Sequence, residues 1–122
     1  MEKAYQTCEL RDLTSKLDQV PIDNRDRKEG IALVNVLEPK AFEREHIPGS
    51  INIPEGKLEE FERRFDKDKE IIVYCASTKC QASPTTAKEL AERGFSKVVD
   101  FEAGMLGWKA GGMAVATGAA AD

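Results

Sequence analysis

Residues 71–83 read Ile-Ile-Val-Tyr-Cys-Ala-Ser-Thr-Lys-Cys-Gln-Ala-Ser, and the fold follows from how this stretch is read. Ile71 to Tyr74 form a short β-rich apolar run, the pattern of a strand buried on both faces. Cys75 follows, then small and polar residues. From Ala82 or Ser83 to about Arg93 the pattern turns helical, with Ala87, Leu90 and Ala91 recurring at helix spacing. Cys75 is therefore expected at the carboxyl end of a central strand, in the turn that leads to a helix, where open α/β sheets place ligands. Backbone N–H groups of the turn and of the helix's first residues can converge there on an anion. The same groups favour thiolate over thiol at Cys75 because they stabilise the charged form. These residues suit a nucleophilic or sulfur-carrying cysteine in an anion-binding cradle.

The rest of the chain supplies alternating strands and helices. Residues 4–8 suit a short edge strand, and Thr7 is the expected N-cap of a helix over 9–18 whose apolar stripe is Leu10, Leu13 and Leu17. Pro21 ends that helix, and residues 21–30 read as a charged surface loop. Ile31 to Val36 is a second buried strand. Pro39 opens a short helix over 39–44 with Phe42 facing inward. His46-Ile47-Pro48-Gly49 is a turn and Ile51-Asn52-Ile53 a short strand. Residues 55–65 suit an amphipathic helix edged by Leu58, Phe61 and Phe65, and 66–69 a turn into the central strand. Pro84 sits in the first turn of the helix after Cys75, where a missing N–H does least harm. Gly94 is its C-cap. Val98 and Val99 lie in the last strand, and Gly104 opens a short helix carrying Met105, Leu106 and Trp108. Strands alternating with helices through short connections imply a mostly parallel α/β sheet. We expect one domain over 1–115 and a loose Gly/Ala-rich tail over 116–122.

At 122 residues the chain is large enough for a single core. Its formal net charge of −4, with no extended basic stretch, argues against nucleic acid as a partner. Any anion must be held by local groups rather than drawn in by the overall field. Three cysteines and one histidine leave a zinc framework short of ligands, so neither metal nor cofactor is expected. The start has no apolar run of a secretory signal, and no stretch approaches a membrane span. The cytoplasm is thus the expected location, with cysteines reactive or inert rather than structural disulfides.

Leu33-Val34-Asn35-Val36, His46-Ile47-Pro48-Gly49-Ser50-Ile51-Asn52-Ile53-Pro54, Val73-Tyr74-Cys75, and Ala103-Gly104 followed by Trp108 stand in an order and spacing that together resemble a single-domain rhodanese. The resemblance spans nearly all of residues 4–115. It implies a five-stranded, mostly parallel sheet flanked by helices on both faces. It further implies that Cys75 accepts a sulfane sulfur as a persulfide, from a small anionic donor such as thiosulfate, and passes it to cyanide, a thiol or a protein acceptor. The chemistry suits the residues: thiolate attack on thiosulfate, with sulfite leaving, is nucleophilic catalysis and needs no general base if Cys75 is already ionised. Backbone donors of residues 76–80 would hold the sulfonate and then the persulfide. The expected substrate-binding residues are Ala76, Ser77, Thr78, Lys79, Cys80 and Gln81.

The chain departs from the family's pattern at three places. Where Asp-Val-Arg is common it reads Asn35-Val36-Leu37, losing a carboxylate and a guanidinium together, from which only a structural consequence is expected. After the cysteine, glycine and arginine give way to Ala76-Ser77-Thr78-Lys79-Cys80. Lys79 keeps one point charge for an oxyanion where arginine would offer a fork. Gln81 stands where the related phosphatases need arginine, which disfavours phosphatase or arsenate-reductase chemistry. Cys80 is the third departure. A curled loop would bring it within disulfide range of Cys75, with Cα atoms about 4.4–6.8 Å apart, so that it can resolve a Cys75 persulfide. The plainer alternative makes it a small, reduced, unreactive filler of the loop's base, and without loop geometry the sequence leans slightly to that one.

Other candidates read as structural. Cys75 itself could be a core cysteine, but its strand-end place before a polar turn argues otherwise. His46 is expected to bond within its turn rather than act as a base, Cys8 to sit at the helix entry, and Trp108 to pack in the core or wall the pocket. Glu59, Glu60, Glu62, Arg63 and Arg64 form a solvated helix face. The leading reading is a sulfurtransferase. Its alternatives are a thiol–disulfide redox protein using Cys75 and Cys80, and a non-catalytic module that binds a partner.

Overall fold

The computed structural model describes residues 5–119. Along the chain run β1 (Gln6–Cys8), α1 (Leu10–Gln19), β2 (Ile31–Asn35), α2 (Pro39–Arg44), β3 (Ile51–Asn52), α3 (Leu58–Arg64), β4 (Glu70–Tyr74), α4 (Ala82–Glu92), β5 (Lys97–Phe101) and α5 (Gly104–Ala110). The strands form one sheet in the order β1-β5-β4-β2-β3, and every pairing is parallel. Parallel neighbours need crossovers, and the helices supply them.

The stretch around Cys75 is the centre of this sheet. Ile71, Ile72, Val73 and Tyr74 have no exposed surface. Their alternation splits the core into two layers. Ile71, Val73 and Cys75 face Leu58 and Phe61 of α3 and Ala87 and Leu90 of α4. Ile72 and Tyr74 face Leu13 of α1 and Met105 and Trp108 of α5. Helices thus cover both faces, which explains why β4 is an apolar run rather than a period-two pattern.

Several local expectations shift. Thr7 lies within β1 rather than capping α1. The cap is Glu9, whose N–H donates to the Asp12 carboxylate at 3.0 Å. Strand pairing with β5 claims Thr7, so the helix begins one residue later. The expected strand residue Ala4 lies outside the described residues. Helix α3 starts at Leu58, because Pro54 to Lys57 form a turn closed by the Lys57 N–H on the Pro54 carbonyl at 3.1 Å. Residues 116–118, expected in the loose tail, are tied down. Ala116 and His46 exchange backbone hydrogen bonds of 2.9 Å each, and the Gly118 N–H reaches the Glu43 carbonyl at 2.7 Å.

The charged loop before β2 does more than cover the surface. Lys69 is fully buried, and its ammonium donates to the carbonyls of Asp23 at 2.7 Å and Asp26 at 2.8 Å, and to that of Glu29. The loop is wound around one cation that closes three backbone acceptors. Lys69→Met would strand those carbonyls, and we expect a loss of about 2–3 kcal/mol of unfolding free energy. Urea denaturation checks it, and an unchanged midpoint would mean water satisfies the loop equally well. No helix among the described residues is long and apolar enough to cross a membrane.

Candidate active site

Cys75 emerges directly from β4 at its carboxyl end and is 1% exposed. The strand end is held from the opposite layer by Tyr74. Its hydroxyl accepts the Ile47 N–H at 3.0 Å and donates to Ser50 Oγ at 2.8 Å, while Ser50 donates to the Ile47 carbonyl at 2.7 Å. This closed ring of bonds explains why the turn after His46 carries a serine. Burial pushes the Tyr74 phenol's pKa up, so it remains the neutral donor this ring requires.

The loop then curls over. The Cys80 N–H donates to the Ser77 carbonyl at 3.1 Å and the Lys79 N–H to Ser77 Oγ at 3.3 Å. Thr78 and Lys79 are the exposed corners of the resulting turn. Gln81 caps α4, its carbonyl accepting the Thr85 N–H at 3.0 Å. From the other side α5 grips the loop. Its Met105 and Leu106 N–H groups donate to the carbonyls of Cys75 and Ala76, each at 2.9 Å. Gly104, with φ of +61°, permits that approach, since a Cβ there would come within 2.9 Å of the Ala76 carbonyl carbon.

Cys75 and Cys80 are joined as a disulfide, with Cα atoms 6.4 Å apart. The structure places Cys80 against Cys75, within the range that the sequence expectation of a curled loop required. The tight turn closed by the Ser77 carbonyl brings the second sulfur back over the first. The Ser83 hydroxyl, buried in the first turn of α4, lies 3.3 Å from Cys75 Sγ, within hydrogen-bond distance of sulfur. Ser83 escaped the sequence reading. Its place eight residues after Cys75 gave no signal without knowledge of how the loop curls.

Beside the loop lies a cavity of about 550 Å³ floored by Ala76 and Ser77. Leu37, Met105 and Leu106 form its apolar wall, and Arg44, Glu45 and Lys109 its charged side. Lys109 is spent on Glu45, with contacts of 3.0 and 2.9 Å. Arg44 has no ion-pair partner among the described residues. Lys79, expected to supply the site's positive charge, does not line this cavity. Arg44 comes from α2, 31 positions before Cys75 and outside the loop, so spacing around Cys75 could not reveal it. Leu37, expected to matter structurally, also faces the cavity. Asn35 Oδ1 instead accepts the Leu37 N–H at 2.9 Å and shapes the end of β2.

The remaining candidates stand apart. His46 is 5% exposed, stacks on Phe42 with ring centroids 3.8 Å apart, and donates from Nδ1 to the Phe42 carbonyl at 2.8 Å. Trp108 packs in the core and donates to the Ala114 carbonyl at 2.7 Å. Cys8 is a free thiol at the end of β1, and burial pushes its pKa up to about 11, the reverse of what a nucleophile needs.

Comparison with known proteins agrees with this architecture. The chain is 32% identical to the thiosulfate sulfurtransferase GlpE of Coxiella burnetii over 84 residues, which covers 69% of this chain and 77% of that protein. It is 35% identical to the GlpE protein of Pseudomonas syringae over 83 residues, covering 68% and 76%. Among solved structures, the rhodanese-related protein of Thermoplasma volcanium superposes with a TM-score of 0.72 at 26% identity, covering 92% of this chain and 98% of that one. Residues 9–111 match the rhodanese-like domain family, and with its parallel five-stranded sheet flanked by helices the chain belongs to that family.

Proposed function

We propose that the protein is a sulfurtransferase that carries sulfane sulfur on Cys75. One observation supports this reading above the rest: the loop after β4 holds a second sulfur atom bonded to Cys75 Sγ, which is the space a persulfide requires. The names of the relatives point the same way, since both are called thiosulfate sulfurtransferase.

The reaction starts once an external thiol has opened the Cys75–Cys80 bond. The Cys75 thiolate attacks the outer sulfur of thiosulfate, the sulfur–sulfur bond of the donor breaks, and sulfite leaves with the electron pair. The persulfide's outer sulfur then passes to cyanide or a thiolate, and Cys75 returns as thiolate. Donors of the loop and of the first turn of α4 stabilise the anionic sulfur at both stages. The cavity beside Ala76 and Ser77 is the approach for the donor, with Arg44 as its attracting charge.

Reduced protein mixed with excess thiosulfate should release one equivalent of sulfite per chain, and protein left oxidised should release none. No sulfite from the reduced chain would overturn the reading for thiosulfate. Arg44→Glu should raise KM for thiosulfate about tenfold with little change in kcat, and the effect should shrink as salt is added. An unaltered KM would remove the cavity from the donor's path.

A further inference from the structure

We infer that Cys80 gives this chain a second outcome for the carried sulfur: reductive release as sulfide, with Cys80 as the resolving thiol. The inference rests on the proposed uptake of sulfur by Cys75. It goes beyond that reading because ordinary transfer needs an outside acceptor, whereas here the acceptor's place is taken by a residue of the same loop.

The geometry supports an intramolecular step. Cys80 and Cys75 are bonded with their Cα atoms 6.4 Å apart, a separation at which a disulfide forms without moving the backbone. The turn that places Cys80 is closed by its own N–H on the Ser77 carbonyl. Its base is held to α5 through the Cys75 and Ala76 carbonyls. Cys80 is therefore delivered to Cys75 by hydrogen bonds of the loop itself, and a reactant held in that way attacks as if at very high local concentration.

The step balances. After thiosulfate has left its outer sulfur on Cys75, the Cys80 thiolate attacks Cys75 Sγ. The Cys80–Cys75 bond forms, the bond from Cys75 Sγ to the outer sulfur breaks, and that sulfur leaves with the electron pair and takes up a proton as hydrosulfide. Thiosulfate and two thiols thus become sulfite, sulfide and a disulfide. The two electrons come from the cysteine pair, and an external dithiol must restore them. Exposure decides where that dithiol attacks. Cys75 is 1% exposed and buried behind the loop, while Cys80 is half-buried. Attack on Cys80 Sγ expels Cys75 as thiolate, toward the Ser83 hydroxyl 3.3 Å away and the first turn of α4. Each reopening regenerates the sulfur-accepting form.

A single-turnover experiment tests this. Reduced wild-type protein, freed of reductant, is mixed with thiosulfate, and sulfite, sulfide and intact mass are followed together. We expect one sulfite and one sulfide per chain and a mass about 2 Da below the reduced chain, the disulfide product. Cys80→Ser and Cys80→Ala should both release sulfite, release no sulfide, and stop about 32 Da heavy as the persulfide. Sulfite with a stable gain of about 32 Da on the wild type and no sulfide would overturn the role of Cys80 while leaving sulfur uptake intact. Absence of sulfite from the wild type would overturn uptake itself, and this inference with it.

Discussion

Cys75→Ser is expected to lower kcat/KM for sulfur transfer from thiosulfate by about 10³-fold or more while the fold survives. A serine hydroxyl is not ionised near neutral pH, and its hard oxygen cannot form the sulfur–sulfur bond that stores the cargo. Neither Arg44 nor the loop donors can compensate, because they stabilise an intermediate that never forms. The side chain is 1% exposed, yet Ser is nearly isosteric and its hydroxyl can exchange a hydrogen bond with Ser83, now 3.3 Å from the sulfur. The loss of stability in the reduced state should therefore stay near 1 kcal/mol. Thiocyanate formation with cyanide as acceptor gives the rate, and thermal melts under reducing conditions give the stability. A variant retaining a tenth of the activity would show that another group carries the sulfur.

Gly104→Ala is expected to cost about 3 kcal/mol of stability and about 10²-fold in transfer, although residue 104 touches no substrate. At φ of +61° the backbone is in the left-handed region, which a Cβ already disfavours. Here the Cβ would also press on the peptide between Cys75 and Ala76, with both carbonyl carbons 2.9 Å away. Backbone cannot swing aside as a flexible side chain can. Either α5 withdraws, losing the Met105 and Leu106 bonds to that loop, or the loop shifts and carries Cys75 away from its donors. Equilibrium unfolding and steady-state kinetics on the same preparation separate the two costs. Wild-type stability in Gly104→Ala would mean that the helix start relaxes freely.

The contrast between these two positions marks how far the sequence could be read. Cys75 was legible because apolar Ile71 to Tyr74 followed by small polar residues is a strand-to-turn pattern that needs no partner to be recognised. Gly104 was legible only as the start of a helix. That it lets one backbone lie against another depends on a contact across thirty positions of chain. Lys69 stood in the sequence only as the last residue of a turn into the central strand, and the loop wound over 23–29 makes it a buried cation. Ser83 and Arg44 were invisible for the same reason: a polar residue on a helix is ordinarily solvated, and nothing local announces what it faces.

By itself, then, the order of residues determined the alternating strands and helices, the parallel sheet with a cysteine at the end of its central strand, and through its motifs the resemblance to the rhodanese-like family. These depend on hydrophobic period and turn chemistry, which act within a few residues. Tertiary structure decided the placement of Cys80 against Cys75, the grip of α5 on the loop, the charged side chains of the cavity beside it, and the pinning of Ala116 to His46. Those depend on distances between segments remote in sequence, which no local period encodes and only the packed sheet brings together.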